Sequence, residues 1–101
     1  KYTYASLIEY DNTQDAKNKL YQFCGIFNCN EYINTIGGKD LYQKDAFIEQ
    51  GINLGFISCC EIEYNQFNNN SDFENNLSII DILMNESKLD IIKKLNLFRI
   101  I

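Results

Sequence analysis

The chain has 101 residues, 46% hydrophobic side chains and a formal net charge of −5. This length fits one domain with one core, and the hydrophobic content excludes a disordered chain because enough apolar area is present to offset the entropy of ordering. The acidic balance, with nine lysines and arginines, argues against a nucleic-acid partner, since binding to phosphates needs a basic surface.

Apolar runs and cysteines indicate the class of protein. No apolar stretch approaches the roughly 18 residues needed to span a bilayer, and no signal peptide is recognisable. The four cysteines are too sparse for a disulfide-built mini-protein, so we expect reduced thiols in a cytoplasmic protein. The chain has no Cys-x-x-Cys pair and no histidine, so we predict neither a metal site nor a cofactor.

Hydrophobic periodicity in the first half of the chain switches between strands and helices. Residues 1–8 alternate and are rich in aromatic types, which predicts a first strand. Residues 13–24 have apolar side chains at helical spacing, with Asn12 or Thr13 as the N-cap and Gly25 as the residue that ends the helix. A second strand is expected at 31–35, a second helix at 41–50 with Gly51 as its left-handed cap, and a third strand at 52–57.

The β-α-β-α-β order predicts an α/β fold, namely a small two-layer or three-layer unit with a parallel sheet, followed by one or two C-terminal helices. The segment LSIIDILM, residues 77–84, is apolar apart from Ser78 and Asp81 and predicts a buried helix. In SKLDIIKKL, Ser87 and Asp90 have the spacing of a capping box. We therefore expect residues 1–101 to form a single α/β domain.

The Asn-rich stretch 58–76 is too long for a mere connection. It predicts a loop that is functional, mobile or packed by its aromatic side chains, Tyr64, Phe67 and Phe73.

The adjacent glycines Gly37 and Gly38 are the first candidate site. Backbone N–H groups that lead into a helix can bind a phosphate, and Lys39 follows immediately. Asp40 and Tyr42 flank the glycines and could hold a hydroxyl-rich ligand. The spacing fits neither the dinucleotide-binding nor the P-loop pattern. A structural turn for the glycines and solvated surface positions for Asp40 and Tyr42 remain alternative interpretations.

Asp81 is the second candidate, because a carboxylate among apolar residues could act as a general base. The favoured alternative is a hydrogen bond that Asp81 accepts from the backbone or from a tyrosine. Nucleophilic catalysis has little support, since no histidine is present to activate Ser78 or a cysteine.

Two stretches of the sequence carry a resemblance to a known family, namely EYINTIGGKDLYQKDAFIEQGINLGFI and EIEYNQFNNNSDFENNLSIIDILMNES. They resemble the C-terminal half of WbqC-like proteins. The features that carry the resemblance are a Tyr-Ile strand, a glycine loop with a tyrosine, a Phe-x-x-x-Gly-Ile run, a Tyr-x-Gln loop and a Leu-Ser-Ile-Ile-Asp helix. The resemblance covers the chain well from Glu31 to Glu86.

The resemblance implies a role in bacterial O-antigen or other surface-polysaccharide biosynthesis, with a sugar nucleotide or a sugar as the ligand. The residues expected to bind it are Gly37, Gly38, Lys39, Tyr42 and Tyr64. The resemblance implies no particular reaction, so Asp40 and Asp81 are the catalytic candidates if the protein is an enzyme. The alternative is a non-catalytic interaction or accessory module of a polysaccharide-assembly complex.

Members of this family are usually longer, and the chain begins at Lys1 rather than at Met. We therefore expect it to be the C-terminal half of a longer WbqC-like protein. The expected protein partner is a second copy of the chain or the upstream half of the same protein.

Overall fold

The computed structural model describes residues 2–66 and 72–101. The chain divides into two compact units, the first comprising Lys1–Ile57 with Ile100–Ile101 and the second comprising Ser58–Arg99. The helices are α1 (Ala16–Ile26), α2 (Lys44–Ile48), α3 (Ile79–Asn85) and α4 (Lys88–Lys94), and the strands are β1 (Glu31–Thr35), β2 (Asn53–Cys59) and β3 (Phe98–Ile100). Two short 3₁₀ helices, Ala5–Leu7 and Ile36–Asp40, complete the regular structure of the described residues.

The three strands form one mixed sheet in the order β1-β2-β3. β1 and β2 are parallel, with Tyr32 opposite Leu54. Phe56 and Ile101 exchange two backbone hydrogen bonds of 2.9 and 3.0 Å, which is the antiparallel pattern and sets the direction of the third strand. The predicted α/β class, the parallel pairing of the strands at 31–35 and 52–57, and the C-terminal helices are confirmed.

The predicted strand at 1–8 is wrong. Residues Ala5–Leu7 form a 3₁₀ turn, and the side chains of Tyr2 and Tyr4 are 83% and 63% exposed. Lys1 lies outside the described residues. A strand gains its stability from pairing and packing with its neighbours, and none of the described strands pairs with this segment. Alternation of residue types is therefore not sufficient for a strand here.

α1 begins and ends at residues other than the predicted ones. Asp15, rather than Asn12 or Thr13, is the N-cap, because its side chain accepts a hydrogen bond of 2.7 Å from the backbone N–H three residues on. Gly25 lies inside the helix. Asn28, rather than Gly25, follows the end of the helix with a left-handed φ of +49°.

α2 is shorter than the predicted helix 41–50. The 3₁₀ helix Ile36–Asp40 precedes it, and α2 itself begins at Lys44. Gly51 follows with a φ of +72°, which confirms the left-handed cap predicted at this position.

The core of the first unit joins α1, α2 and one face of the sheet. Its buried side chains are Cys24, Phe47, Ile52, Leu54 and Phe56. Phe47 is completely buried, and its ring lies 4.9 Å from Tyr21, 6.1 Å from Tyr32 and 6.0 Å from Tyr42 between centroids. Burial of a Phe side chain stabilises a fold by about 1.5 to 3 kcal/mol, so Phe47 and Phe56 contribute strongly to this unit.

α3 in the second unit differs from the predicted buried helix. Its apolar side chains Ile80, Leu83 and Met84 are 65%, 54% and 67% exposed. Asp81 is half-buried rather than buried. A helix that is apolar on all sides is buried only when neighbouring elements cover it, and the sequence pattern does not specify those neighbours.

Ser87 is the N-cap of α4, as its spacing from Asp90 predicts, but the reciprocal half of the capping box is a bond between the two side chains. The Ser87 hydroxyl accepts a hydrogen bond of 3.3 Å from the Asp90 backbone N–H and donates one of 2.6 Å to the Asp90 carboxylate. The hydrogen bonds that the Asp90 carboxylate accepts from the side chains of Ser87 and Lys93 hold its pKa below the ordinary value, because they stabilise the charged form.

Candidate functional site

The predicted site residues fall in both units. Gly37, Gly38, Lys39, Asp40 and Tyr42 belong to the first unit, whereas Tyr64 and Asp81 belong to the second. The structure brings Tyr64 and Asp81 into direct contact.

The two glycines lie in the 3₁₀ helix Ile36–Asp40, directly after β1. Neither adopts a left-handed backbone conformation. Gly38 is buried, and a Cβ atom there would lie 2.6 Å from the Nδ2 atom of Asn34. A Cβ atom on Gly37 would meet no heavy atom within 4 Å. Gly38 therefore has a packing role, since it allows the Asn34 side chain to lie against the backbone, whereas Gly37 has no such steric reason.

The residues that flank the glycines have different environments. Lys39 and Asp40 are exposed, in agreement with solvated surface positions. Tyr42 is half-buried and packs against Phe47 at the edge of the core. The backbone N–H of Tyr42 also bonds to the Gly38 carbonyl at 3.0 Å. Tyr42 thus helps to hold the glycine turn to the core, in addition to any contact with a ligand.

Tyr64 and Asp81 are predicted site residues whose side chains are hydrogen-bonded to each other. The Tyr64 hydroxyl donates a hydrogen bond of 2.6 Å to Oδ2 of Asp81, which lies in the first turn of α3. Ser78 caps this helix, since its hydroxyl accepts from the Ile80 N–H at 3.3 Å, and so fixes the start of the turn that presents Asp81. The tyrosine partner that was the favoured alternative for Asp81 is confirmed.

This hydrogen bond favours the protonated form of the phenol. It raises the pKa of Tyr64 above the ordinary value, because a phenolate would lose the bond and would lie beside the Asp81 charge. Tyr64 therefore keeps its proton and directs it to Asp81, so the hydroxyl oxygen can meet a ligand as a hydrogen-bond acceptor.

Gln66 extends the pair into a network and was not among the predicted site residues. Its Nε2 atom donates to the Tyr64 oxygen at 3.3 Å and to the Glu74 carbonyl at 2.8 Å, and its Oε1 atom accepts from the Glu74 N–H at 2.9 Å. The Gln66 side chain thus links its own position to the backbone of Glu74, eight residues further along the chain. The Tyr-x-Gln feature of the resemblance was the signal in the sequence that could have identified Gln66.

Tyr64 also contacts Phe73 edge-to-face, with 5.3 Å between ring centroids. The two rings line a cavity of about 440 Å³ in the second unit. Its other polar lining residues are Cys59, Cys60, Glu61, Glu74, Asn75 and Asn76. Phe67, which was also expected to pack this loop, lies outside the described residues.

The chemistry of this cavity is suited to hydrogen bonding. Amide and carboxylate side chains supply donors and acceptors, and the Tyr64 and Phe73 rings supply an apolar surface. Among the described residues, no cluster of cysteine and carboxylate side chains could hold a metal ion. In the same part of the chain, no helix is both long enough and apolar enough to cross a membrane.

Comparison with known proteins places these features in a family. A sequence model described as the WbqC-like protein family matches residues 1–92, which include the glycine turn, the Tyr64 loop and the Asp81 helix. Neither the curated proteins nor the solved structures contain a match to the chain. Because the family match extends over most of the sequence, the chain belongs to the WbqC-like protein family.

Proposed function

We propose that the protein acts in O-antigen or other surface-polysaccharide biosynthesis and that the cavity beside Tyr64 binds a sugar. Membership of the WbqC-like family supports the pathway. The observation that carries the sugar site is the Tyr64–Asp81 hydrogen bond of 2.6 Å at the wall of the 440 Å³ cavity.

The properties of the lining residues favour a sugar over other ligands. A sugar presents many hydroxyl groups, which pair with amide and carboxylate side chains, and C–H faces, which pack on aromatic rings. Asn75 and Asn76 supply the amides, and Glu61 and Glu74 supply the carboxylates. These carboxylates disfavour a phosphate at the same place, since like charges repel in a partly enclosed site.

In this proposal Asp81 is a positioning residue. Its carboxylate accepts the hydrogen bond that the Tyr64 hydroxyl donates, which leaves the Tyr64 oxygen to accept a hydrogen bond from a sugar hydroxyl. Gln66 limits the movement of the Tyr64 oxygen from the other side. We assign Asp81 no direct role in bond making or breaking.

The turn Ile36–Asp40 is a separate proposed contact for the phosphate of a sugar nucleotide. Lys39 provides an exposed positive charge, and Gly37 leaves open space beside the backbone. Asp40, the other catalytic candidate, is proposed to contact a ligand hydroxyl at this turn. The packing role of Gly38 is independent of ligand binding.

Nuclear magnetic resonance titration tests the proposed sugar site. A nucleoside diphosphate hexose and the free hexose are added separately, and both should shift the backbone amides at 59–66 and 72–82. Tyr64→Phe keeps the ring and removes the hydroxyl, so it should weaken binding by about tenfold. Tyr2→Phe, at an exposed tyrosine of the first unit, should leave binding unchanged. Absence of shifts in these segments at millimolar ligand would exclude the site.

A non-catalytic interaction module is the second candidate function, and exposed apolar side chains favour it. Ile80, Met84 and Leu89 on α3 and α4 are 65%, 67% and 72% exposed. Such side chains are typical of surfaces that another protein covers. Light scattering tests whether the chain dimerises. If it does, replacing Met84 and Leu89 by Ser should yield monomers, whereas Leu41→Ser, which changes a 74% exposed leucine of the first unit, should not.

A further inference from the structure

The C-terminal end of α1 brings two cysteines together. Asn28 is left-handed, its N–H bonds to the Gly25 carbonyl at 3.1 Å, and the Cys29 N–H bonds to the Cys24 carbonyl at 2.9 Å. This pair of bonds defines a Schellman motif, in which the residues at the positions of Cys24 and Cys29 commonly contact each other through their side chains.

The two thiols share one groove but differ in access to solvent. The groove has a volume of about 540 Å³, is largely apolar, and includes both Cys24 and Cys29 in its lining. Cys24 is 3% exposed and belongs to the core, whereas Cys29 is exposed, and both are free thiols. A reagent from solvent therefore reaches Cys29 first, and the buried thiol is accessible from the sulfur of Cys29.

We propose that Cys24 and Cys29 form a thiol–disulfide exchange site whose co-reactant is a small-molecule disulfide of the oxidised glutathione class. The exposed position of Cys29, the buried position of Cys24 and the backbone bond that joins them carry this assignment. The site lies in the first unit and is independent of the proposed sugar site.

The exchange proceeds in two balanced steps. The Cys29 thiolate attacks one sulfur of the small disulfide, forms a mixed disulfide with it and releases one small thiolate. The Cys24 thiolate then attacks the Cys29 sulfur, so the bond between Cys29 and the small thiol breaks and a second small thiolate leaves. The protein loses two protons and two electrons in total, and the small disulfide gains both.

The environment of Cys24 determines which step is slower. Burial, and then the hydrogen bond with Cys29, raise the pKa of the Cys24 thiol to about 11. Because the thiolate is the nucleophile, this pKa makes closure of the ring the slower step at neutral pH. The backbone bond from the Cys29 N–H to the Cys24 carbonyl keeps the two cysteines close together while closure takes place.

Mass spectrometry of the purified protein after treatment with oxidised glutathione tests the proposal. The tryptic peptide 20–39 contains both cysteines. In the expected result, this peptide carries no glutathione, resists alkylation at both thiols and is lighter by two hydrogen atoms. Cys59 and Cys60, which are exposed and lie in another peptide, serve as an internal control for simple glutathione addition.

Two variants and one change of condition separate the proposal from its alternatives. Cys24→Ala should retain glutathione on Cys29, and Cys29→Ser should leave Cys24 unmodified. The ratio of the Cys24–Cys29 bond to all other disulfides of the chain should be at least about tenfold higher in the folded protein than in urea, because the Schellman motif holds the two cysteines together. A wild-type protein that keeps glutathione on Cys29, links Cys29 to a second chain, or pairs Cys24 with Cys29 no more selectively when folded than in urea would overturn the proposal, even if a variant fails to fold.

Discussion

Tyr64 and Asp81 are seventeen residues apart in the sequence, and a hydrogen bond of 2.6 Å joins their side chains. This bond connects the Tyr-x-Gln loop to the Leu-Ser-Ile-Ile-Asp helix, two features by which the chain resembles its family. Gln66 continues the connection to the backbone of Glu74. The two motifs therefore form one structural network, and Tyr64 also lines the 440 Å³ cavity.

The Tyr64–Asp81 bond should make stability depend on pH in the alkaline range. The folded-state pKa of Tyr64 lies above the ordinary value of 10.0, so the contribution of the bond is fully present below that value and is lost as the pH rises through the folded-state pKa. Tyr64→Phe should lower the thermal midpoint at neutral pH, and its difference from wild type should shrink above about pH 10.

Thermal unfolding of wild type and Tyr64→Phe across this range measures the effect. Tyr2→Phe is the control, because Tyr2 is 83% exposed. Burial raises the pKa of Tyr32 as well. The thermal midpoint of the wild type itself should therefore also decrease as the pH rises through this range. A difference between wild type and Tyr64→Phe that stays constant at high pH would contradict the prediction.

Replacement of Gly38 should destabilise the protein for a reason that Gly37 does not share. In Gly38→Ala the new methyl group would meet the Asn34 side chain, whose Oδ1 atom accepts a hydrogen bond of 2.8 Å from the Thr35 N–H. We expect a loss of about 1 to 3 kcal/mol in the free energy of unfolding. Gly37→Ala should cost less, since its Cβ would meet open space.

Urea denaturation of the single variants and of the Asn34→Ala, Gly38→Ala double variant checks this prediction. In the Asn34→Ala background the Nδ2 and Cγ atoms are absent, so the cost of Gly38→Ala should largely disappear. Equal losses at both glycines, or additive losses in the double variant, would show that contact with Asn34 is not the cause.

Asn28 should respond differently to alanine and to glycine. Its φ of +49° is unfavourable for a residue with a Cβ atom, and asparagine tolerates it better than most. Asn28→Ala should therefore lower the free energy of unfolding by about 1 kcal/mol, and Asn28→Gly should not. Circular dichroism during chemical denaturation measures both. If alanine proves as stable as glycine, the left-handed cap does not control this end of α1.

Phe47 should be the most sensitive aromatic position in the core of the first unit. It is completely buried and contacts three tyrosine rings, so Phe47→Ala leaves a large cavity. The expected cost is about 3 to 5 kcal/mol. Leu41→Ala, at a 74% exposed side chain, should cost well under that amount, and calorimetric unfolding compares the two. Similar losses in both variants would contradict the assigned core.

Local sequence patterns determined those elements whose stability depends on nearby residues. The helical spacing before residue 24, the alternating residues of β2, the left-handed glycine at position 51 and the Ser87 N-cap all appear in the structure. Capping and turn conformations depend on bonds within a few residues, which a sequence reveals directly. The family match likewise depends on sequence alone.

Tertiary structure decided the features that need a partner distant in the sequence. The alternating residues 1–8 have strand propensity without a neighbouring strand, and the apolar helix α3 has several exposed side chains. The role of Gly38 depends on where the Asn34 side chain lies, and the roles of Gln66 and Asp81 depend on Tyr64. Burial and long-range hydrogen bonds arise only when elements pack together, so a local pattern does not specify which residues become partners.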